Sequence, residues 1–212
     1  MDGDDSVTVY VETDGKHAQK VNPACFSMTI SPAGGALFRA GTADGKLEAK
    51  AVWTYKYGTN VQGTINNGDD IDMGYTIEMA IPWDILKMSK PGIGDQISYN
   101  TVIHRHGKGE SGFVSLSPLV KAEEDLACPA KWSKLVFAAY SFGVATTGPD
   151  KILSAKYIAR PPLINGVIGD KEWHSNTSLA VDLPLPAGIV YEAKFPAQRM
   201  VLTPYYYGYQ AD

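Results

Sequence analysis

Trp53, Tyr55 and Tyr57 recur at every second position, and they are the side chains of this chain best suited to hold a ligand. On a strand that spacing sets the rings along one face, roughly 6.5–7 Å apart. A flat aromatic row suits sugar rings, whose C–H faces stack on it while the polar tips of Tyr and Trp reach hydroxyls. The same stripe is more often a sandwich core, with Val52, Thr54 and Lys56 on the more soluble side, so the two readings stand side by side. His104 and His106 lie i, i+2 on a predicted strand and project to one side, where they could bind a metal or haem together. Structural zinc normally takes four ligands and no other Cys or His pair has supporting spacing, so a solvated strand end is the plain alternative. Asp69, Asp70 and Asp72, like Glu123, Glu124 and Asp125, form acidic loop clusters that could hold a structural calcium through carboxylate and carbonyl oxygens, or could be solvated turn acids. They do not follow the spacing of an EF-hand loop.

Cys25 and Cys128 are the only two cysteines. Bonded, they would constrain the unfolded state by about 4–5 kcal/mol in the chain-entropy model and imply an oxidising compartment. Unbonded, they are two buried thiols. No Ser/His/acid arrangement, nucleotide-binding glycine loop or paired-carboxylate motif emerges. Glu78 and Asp84 are the nearest approach, but Glu78 falls on the strand face opposite the apolar one, where a salt bridge or solvent contact accounts for it. A glycosidase would also need a second carboxyl at a defined separation. The chain is therefore expected to be noncatalytic.

With 44% hydrophobic and 20% charged residues, the 212-residue chain has an ordinary globular composition, long enough for one large β domain or one domain plus part of another. A formal charge of −4 argues against a nucleic-acid surface. The run His104-Arg105-His106-Gly107-Lys108 is too short to supply one. No apolar stretch approaches the roughly 18 residues of a spanning helix, so no membrane span is expected, and the start of the chain lacks a signal-peptide pattern.

The elements that must position these groups are strands. In Ser6–Glu12, Val7, Val9 and Val11 share one face and Ser6, Thr8, Tyr10 and Glu12 the other, with Thr13-Asp14-Gly15 as the exit turn. In Gly74–Ile81, Tyr75, Ile77, Met79 and Ile81 alternate with Thr76, Glu78 and Ala80 until Pro82 ends the ladder. One or two helical turns are predicted over Trp83–Met88, stopped by Pro91 and Gly92. Further strands are predicted at 24–30, 36–40, 47–57, 96–105, 112–117, 134–139, 155–159 and 179–183, with extended segments at 189–194 and 200–207. Helical periodicity is scarce, and the Gly-, Pro-, Asn- and Asp-rich spacers favour an all-β antiparallel sandwich with few short helices.

Three segments resemble the family 9 carbohydrate-binding modules and their β-sandwich relatives, which accompany secreted glycan-processing enzymes. Asp4-Asp5-Ser6-Val7-Thr8-Val9-Tyr10-Val11 resembles the family's acidic entry into a central strand. Gly74 through Trp83, continued by Gly94, Ile97 and Asn100, resembles its Gly-Tyr, Glu, Ile-Pro-Trp strand. Pro129-Ala130-Lys131-Trp132-Ser133-Lys134-Leu135 resembles its closing segment. About two thirds of the chain is covered. The resemblance implies a jelly-roll-like, noncatalytic accessory domain, extracellular or periplasmic, with a polysaccharide or oligosaccharide as partner, neighbouring domains in a longer chain and structural calcium. Some relatives bind haem b, which leaves a haem-binding sandwich as an alternative, and a structural or assembly domain without a small ligand as another. The family's sugar-slot residues are not retained: its two stacking tryptophans fall at Asp2 and near Leu126, its strand glutamate at Thr8 and its arginine at Ser27.

The family's opening segment is absent before Asp4 and a similar one stands later, Pro161-Pro162-Leu163-Ile164-Asn165-Gly166-Val167-Ile168-Gly169-Asp170-Lys171-Glu172-Trp173. Residues 1–145 thus read as a sandwich module with its first strands missing or permuted. Residues 146–212 read as a linker plus the start of a following module, or as the permuted first strands of the same sandwich; in either case residues 150–212 should pack on the first part. Asn176-Thr177-Ser178 is a glycosylation sequon. Val201–Tyr207 loosely resembles a first barrel strand of glycan-cleaving enzymes, which would put catalysis in a domain outside this chain.

Overall fold

A computed structural model describes residues 5–51, 55–65, 67, 74–107, 110–138, 152–157, 163–167, 179–182, 199–202 and 205–206. In chain order the strands are β1 (Ser6–Glu12), β2 (Cys25–Ile30), β3 (Ala36–Gly41), β4 (Leu47–Ala49), β5 (Lys56–Gln62), β6 (Gly74–Ala80), β7 (Gln96–Gly107), β8 (Glu110–Ser115), β9 (Ser133–Ala138), β10 (Ile152–Tyr157), β11 (Leu179–Asp182), β12 (Arg199–Leu202) and β13 (Tyr205–Tyr206). The only helical pieces among the described residues are 3-10 turns at Glu123–Ala127 and Pro129–Lys131. The fold is all-β and sandwich-like.

One large sheet runs β13-β10-β9-β7-β1-β2-β3-β4, with β8 also on β7. The long β7 makes this possible. Its residues 96–99 pair with β9 and its residues 102–107 with β8, while β1 takes residues 98–104. Two-stranded ribbons β5–β6 and β11–β12 complete the strands. All pairings are antiparallel except β9–β10 and β10–β13, which are parallel.

The alternation in β1 and its neighbours gives the large sheet two faces. On the inner one, Val11 lies opposite Phe26 and Val9 opposite Met28, and Phe26, Met28, Ile30, Phe38, Ile97, Tyr99, Leu135 and Phe137 form a core onto which Ile77 and Met79 of the β5–β6 ribbon pack. The apolar face predicted for 74–81 is thus the one turned inward. Phe26 and Phe38 stack with centroids 6.0 Å apart, and Trp83 meets Phe137 edge-on at 5.7 Å.

Three expectations need correcting. The strand predicted over 47–57 is two elements, because β4 pairs only with residues 39–41 and β5 belongs to the other layer. The segment Trp83–Met88 makes one closed turn and no helix. Met88 N–H bonds Trp83 C=O and Lys87 N–H bonds Asp84 C=O, both at 3.0 Å, with Lys87 at φ +52. This is the geometry that terminates helices, so Lys87 ends the turn before Pro91 and Gly92 are reached. Finally, the strand predicted at 155–159 begins at Ile152 and joins β9 in parallel, in a fold otherwise expected to be antiparallel.

Candidate functional site

The outer face of the large sheet carries polar residues that are nonetheless buried. Ser6, Thr8 and Glu12 on β1 are 5%, 2% and 0% exposed, whereas Val7 and Val9 between them are only half-buried. Part of the cover is a second apolar cluster in which Tyr10, Cys25 and Val102 pack with Val120, Leu126 and Trp132 of the segment after β8. Trp132 sits 5.4 Å from Tyr10, ring to ring. Polar groups on this face satisfy one another: Thr8 and Thr29 hydroxyls bond at 2.9 Å, and Asn100 Oδ1 accepts from Ser117 N–H at 3.0 Å.

At one end of β1 the Glu12 carboxylate takes four donors: His17 N–H at 2.7 Å, Ala18 N–H at 3.0 Å, Asn22 Nδ2 at 3.2 Å and Ser98 Oγ at 2.5 Å. Ser98 Oγ also lies 2.9 Å from His17 Nδ1. A serine, a histidine and a carboxylate meet here, which spacing along the chain did not reveal. The wiring is not that of a nucleophile. Ser98 gives its single proton to Glu12, so it must accept from His17 Nδ1–H, and the histidine cannot act on it as a base. Ser98 is fully buried as well. The cluster pins the loop from Thr13 to Ala24 onto the sheet.

Farther along, Arg39, Tyr10 and His104 share the outer face. Arg39 on β3 lies directly opposite Ser27 of β2, which lies opposite Tyr10 of β1. His104, on β7 and opposite Ser6, packs its ring 6.4 Å from Phe113. Burial pushes the Tyr10 hydroxyl up to about 12, with Arg39 pulling it down and Glu123 pushing it up. Burial lowers the His104 imidazole, and the His106 and Arg39 charges lower it further against the pull of Glu123. Tyr10 is therefore a neutral donor and His104 a neutral imidazole near pH 7, both within the field of Arg39 and Glu123. Arg39 is half-buried and makes no ion pair among the described residues. Tyr10 lies beneath Trp132, and the half-buried guanidinium fork and imidazole of Arg39 and His104 are the groups on this face that can bind the hydroxyl or carboxylate oxygens of a polar ligand.

Apart from His104, the structure places the residues singled out by sequence elsewhere. Tyr55 is 6% exposed and belongs to the inner core, tilted against Phe38 at 6.4 Å and against Tyr57 at 6.0 Å. Tyr57 packs on the same core and donates to Gly34 C=O at 2.9 Å. The two tyrosines are thus interlayer packing and not an open platform; Trp53 lies outside the described residues, as do Asp69, Asp70 and Asp72. No group of three or more His, Cys, Asp or Glu among the described residues is placed to hold a metal ion. In the second acidic cluster, Asp125 accepts from Lys121 and Ala122 N–H at 2.8 and 3.1 Å and pairs with Lys131, which holds its carboxyl down at about 2.

His104 and His106 share a face as predicted, the first half-buried and the second exposed. Cys25 and Cys128 are free thiols, the disulfide between them not formed. Burial raises the Cys25 thiol to about 11. Glu78 is no solvent contact; it is 4% exposed and bonded to the backbone of residues 165 and 166. Arg39 and Tyr10 were missed. The register across three strands that unites them has no signature within any one strand.

No helix among the described residues is long and apolar enough to cross a membrane. No protein-family model matches the chain, and no curated protein matches it.

Proposed function

We propose that this chain is a noncatalytic, carbohydrate-binding-like accessory module of a secreted glycan-processing protein, acting outside the cytoplasm beside a catalytic domain carried elsewhere. The observation that carries this reading is Arg39, half-buried on the outer face that His104 shares, with no ion pair engaging it among the described residues. The resemblance to family 9 carbohydrate-binding modules supports it at one specific point. The positions where that family's strand glutamate and arginine fall, Thr8 and Ser27, lie on this same face, and Arg39 is the cross-strand neighbour of Ser27. The guanidinium is offered from one strand over, and the half-buried Phe113–His104 pair supplies an aromatic surface on the same face. The ligand class is a polyhydroxylated, weakly acidic saccharide, whose oxygens suit a cationic fork and neutral donors.

The test is a glycan array, plant and bacterial, probed with the wild-type chain and with Arg39→Ala. Binding should fall by about tenfold to a hundredfold, as when a charge-assisted contact is lost, while the unfolding free energy stays within about 0.5 kcal/mol of wild type. No saccharide binding by the folded wild type would overturn the proposal. A Soret band after haem addition, lost in His104→Ala, would put a haem-binding module in its place.

A further inference from the structure

The second buried carboxylate, Glu78, sits on the side of the β5–β6 ribbon turned away from the core, and β-pairing places Gly58 directly opposite it. Onto this pair docks a turn from far along the chain. Glu78 Oε2 accepts Asn165 N–H at 2.8 Å and Gly166 N–H at 2.6 Å. Asn165 Oδ1 in turn accepts Val167 N–H at 2.8 Å, and Gly166 stands at φ +84. Two successive N–H groups aimed at one oxygen make a small anion nest, which only a left-handed residue can shape.

The fit excludes side chains on both sides. A Cβ at Gly58 would lie 2.3 Å from Gly166 N, and a Cβ at Gly166 would lie 2.4 Å from Thr59 C. Backbone therefore rests on backbone, with the carboxylate as the anchor. Glu78 is 4% exposed, and a buried carboxylate is stabilised by each donor it accepts, these two backbone N–H groups among them. A separate tie exists where β10 hydrogen-bonds along β9 from Ile152↔Lys134 to Lys156↔Ala138.

We infer that Gly58 and Glu78 form a receptor for an Asn-Gly turn, and that its occupant is the Asn165–Gly166 turn of the same chain. The segment that resembles a module's opening closes this sandwich and does not begin a separate one. A receptor of this kind joins the part of the chain beyond β10 to the ribbon without a covalent link, so the order of segments along the chain is free to differ from their order in space.

Amide hydrogen exchange on the full chain tests this, read at Asn165 and Gly166 and, for reference, in β1 and β7. Both turn amides should be protected in the wild type. Glu78→Gln, Gly58→Ala and Gly166→Ala should each speed their exchange by about tenfold to a hundredfold while β1 and β7 stay protected. Should Glu78→Gln unfold the whole sandwich, Gly166→Ala decides, because it blocks the docking of the turn on Thr59 and leaves every residue of the ribbon as it is. Exchange of both amides at the unprotected rate in the wild type, or protection that survives all three substitutions, would overturn the inference. Protection confined to a dimer and lost on dilution would assign the occupant to a second copy and overturn it too.

Discussion

The two faces of the large sheet are stabilised by opposite means, and β1 shows both in seven residues. Its inner side, with Val9 and Val11, meets Met28 and Phe26 across the strand pair and shares the apolar core with Ile77 and Met79 of the β5–β6 ribbon. Its outer side buries Tyr10 under the segment after β8, pairs the Thr8 hydroxyl with that of Thr29, and gives the Glu12 carboxylate four donors. The inner face tolerates approximate packing as long as volume is kept, because apolar contacts are not directional. The outer face does not, because a donor or acceptor left without its partner costs more than the bond contributed.

That contrast can be broken first at Phe26, fully buried and stacked on Phe38. Phe26→Ala should lower the unfolding free energy by about 3–5 kcal/mol, seen by denaturant titration. Phe26→Leu should recover most of it, and failure to do so would mean that ring geometry and not volume holds this face. The outer counterpart is Glu12→Ala. It strands four donors, two of them on half-buried loop residues that water can reach, and should cost about 2–3 kcal/mol. Here the conservative replacement should not rescue: Glu12→Gln keeps the volume but offers one oxygen where two carboxylate oxygens accept, so it should remain destabilised.

The smallest effect is the pH dependence of His104. Its imidazole is lowered by burial, so the unfolded chain binds the proton more readily than the folded one. That contribution to stability is whole above about 6.5 and is lost as pH falls from there through the lower folded value. Denaturation midpoints followed from pH 7.5 to 5 should decline in the wild type and flatten in His104→Gln; parallel curves would remove His104 from the account.

Alternation made the strands legible. Ser6–Glu12, Ala36–Ala40 and Gly74–Ile81 stand within a residue of where their pattern puts them, because a side chain every 180° leaves a mark in any strand with two unlike faces. What alternation does not carry is which face becomes covered. Tyr10 and Glu12 are buried by parts of the chain from elsewhere: Leu126 and Trp132 pack with Tyr10, and the loop carrying His17, Ala18 and Asn22 closes on Glu12. Glu78 failed for the same reason, its cover arriving from residue 165. Arg39, Tyr10 and His104 share a face only through a register spanning four strands, and the parallel β9–β10 pair leaves no trace in either strand alone. Lys87 at φ +52 could not be anticipated, since lysine carries no preference for that conformation.

The pairing of β1 has a bearing on how the chain emerges during synthesis. One edge of β1 is matched by β2 as soon as Ile30 is made, but the other, from Ser6↔His104 to Glu12↔Ser98, waits for β7. At about 5–20 residues per second, the stretch from Ile30 to Gln96 takes roughly 3–13 s to appear. Through that interval the nascent hairpin presents a bare strand edge carrying Val7, Val9 and Val11, open to chaperones or to a neighbouring ribosome's product. Slowing translation before Gln96 would lengthen that exposure, and the yield of soluble protein would report it.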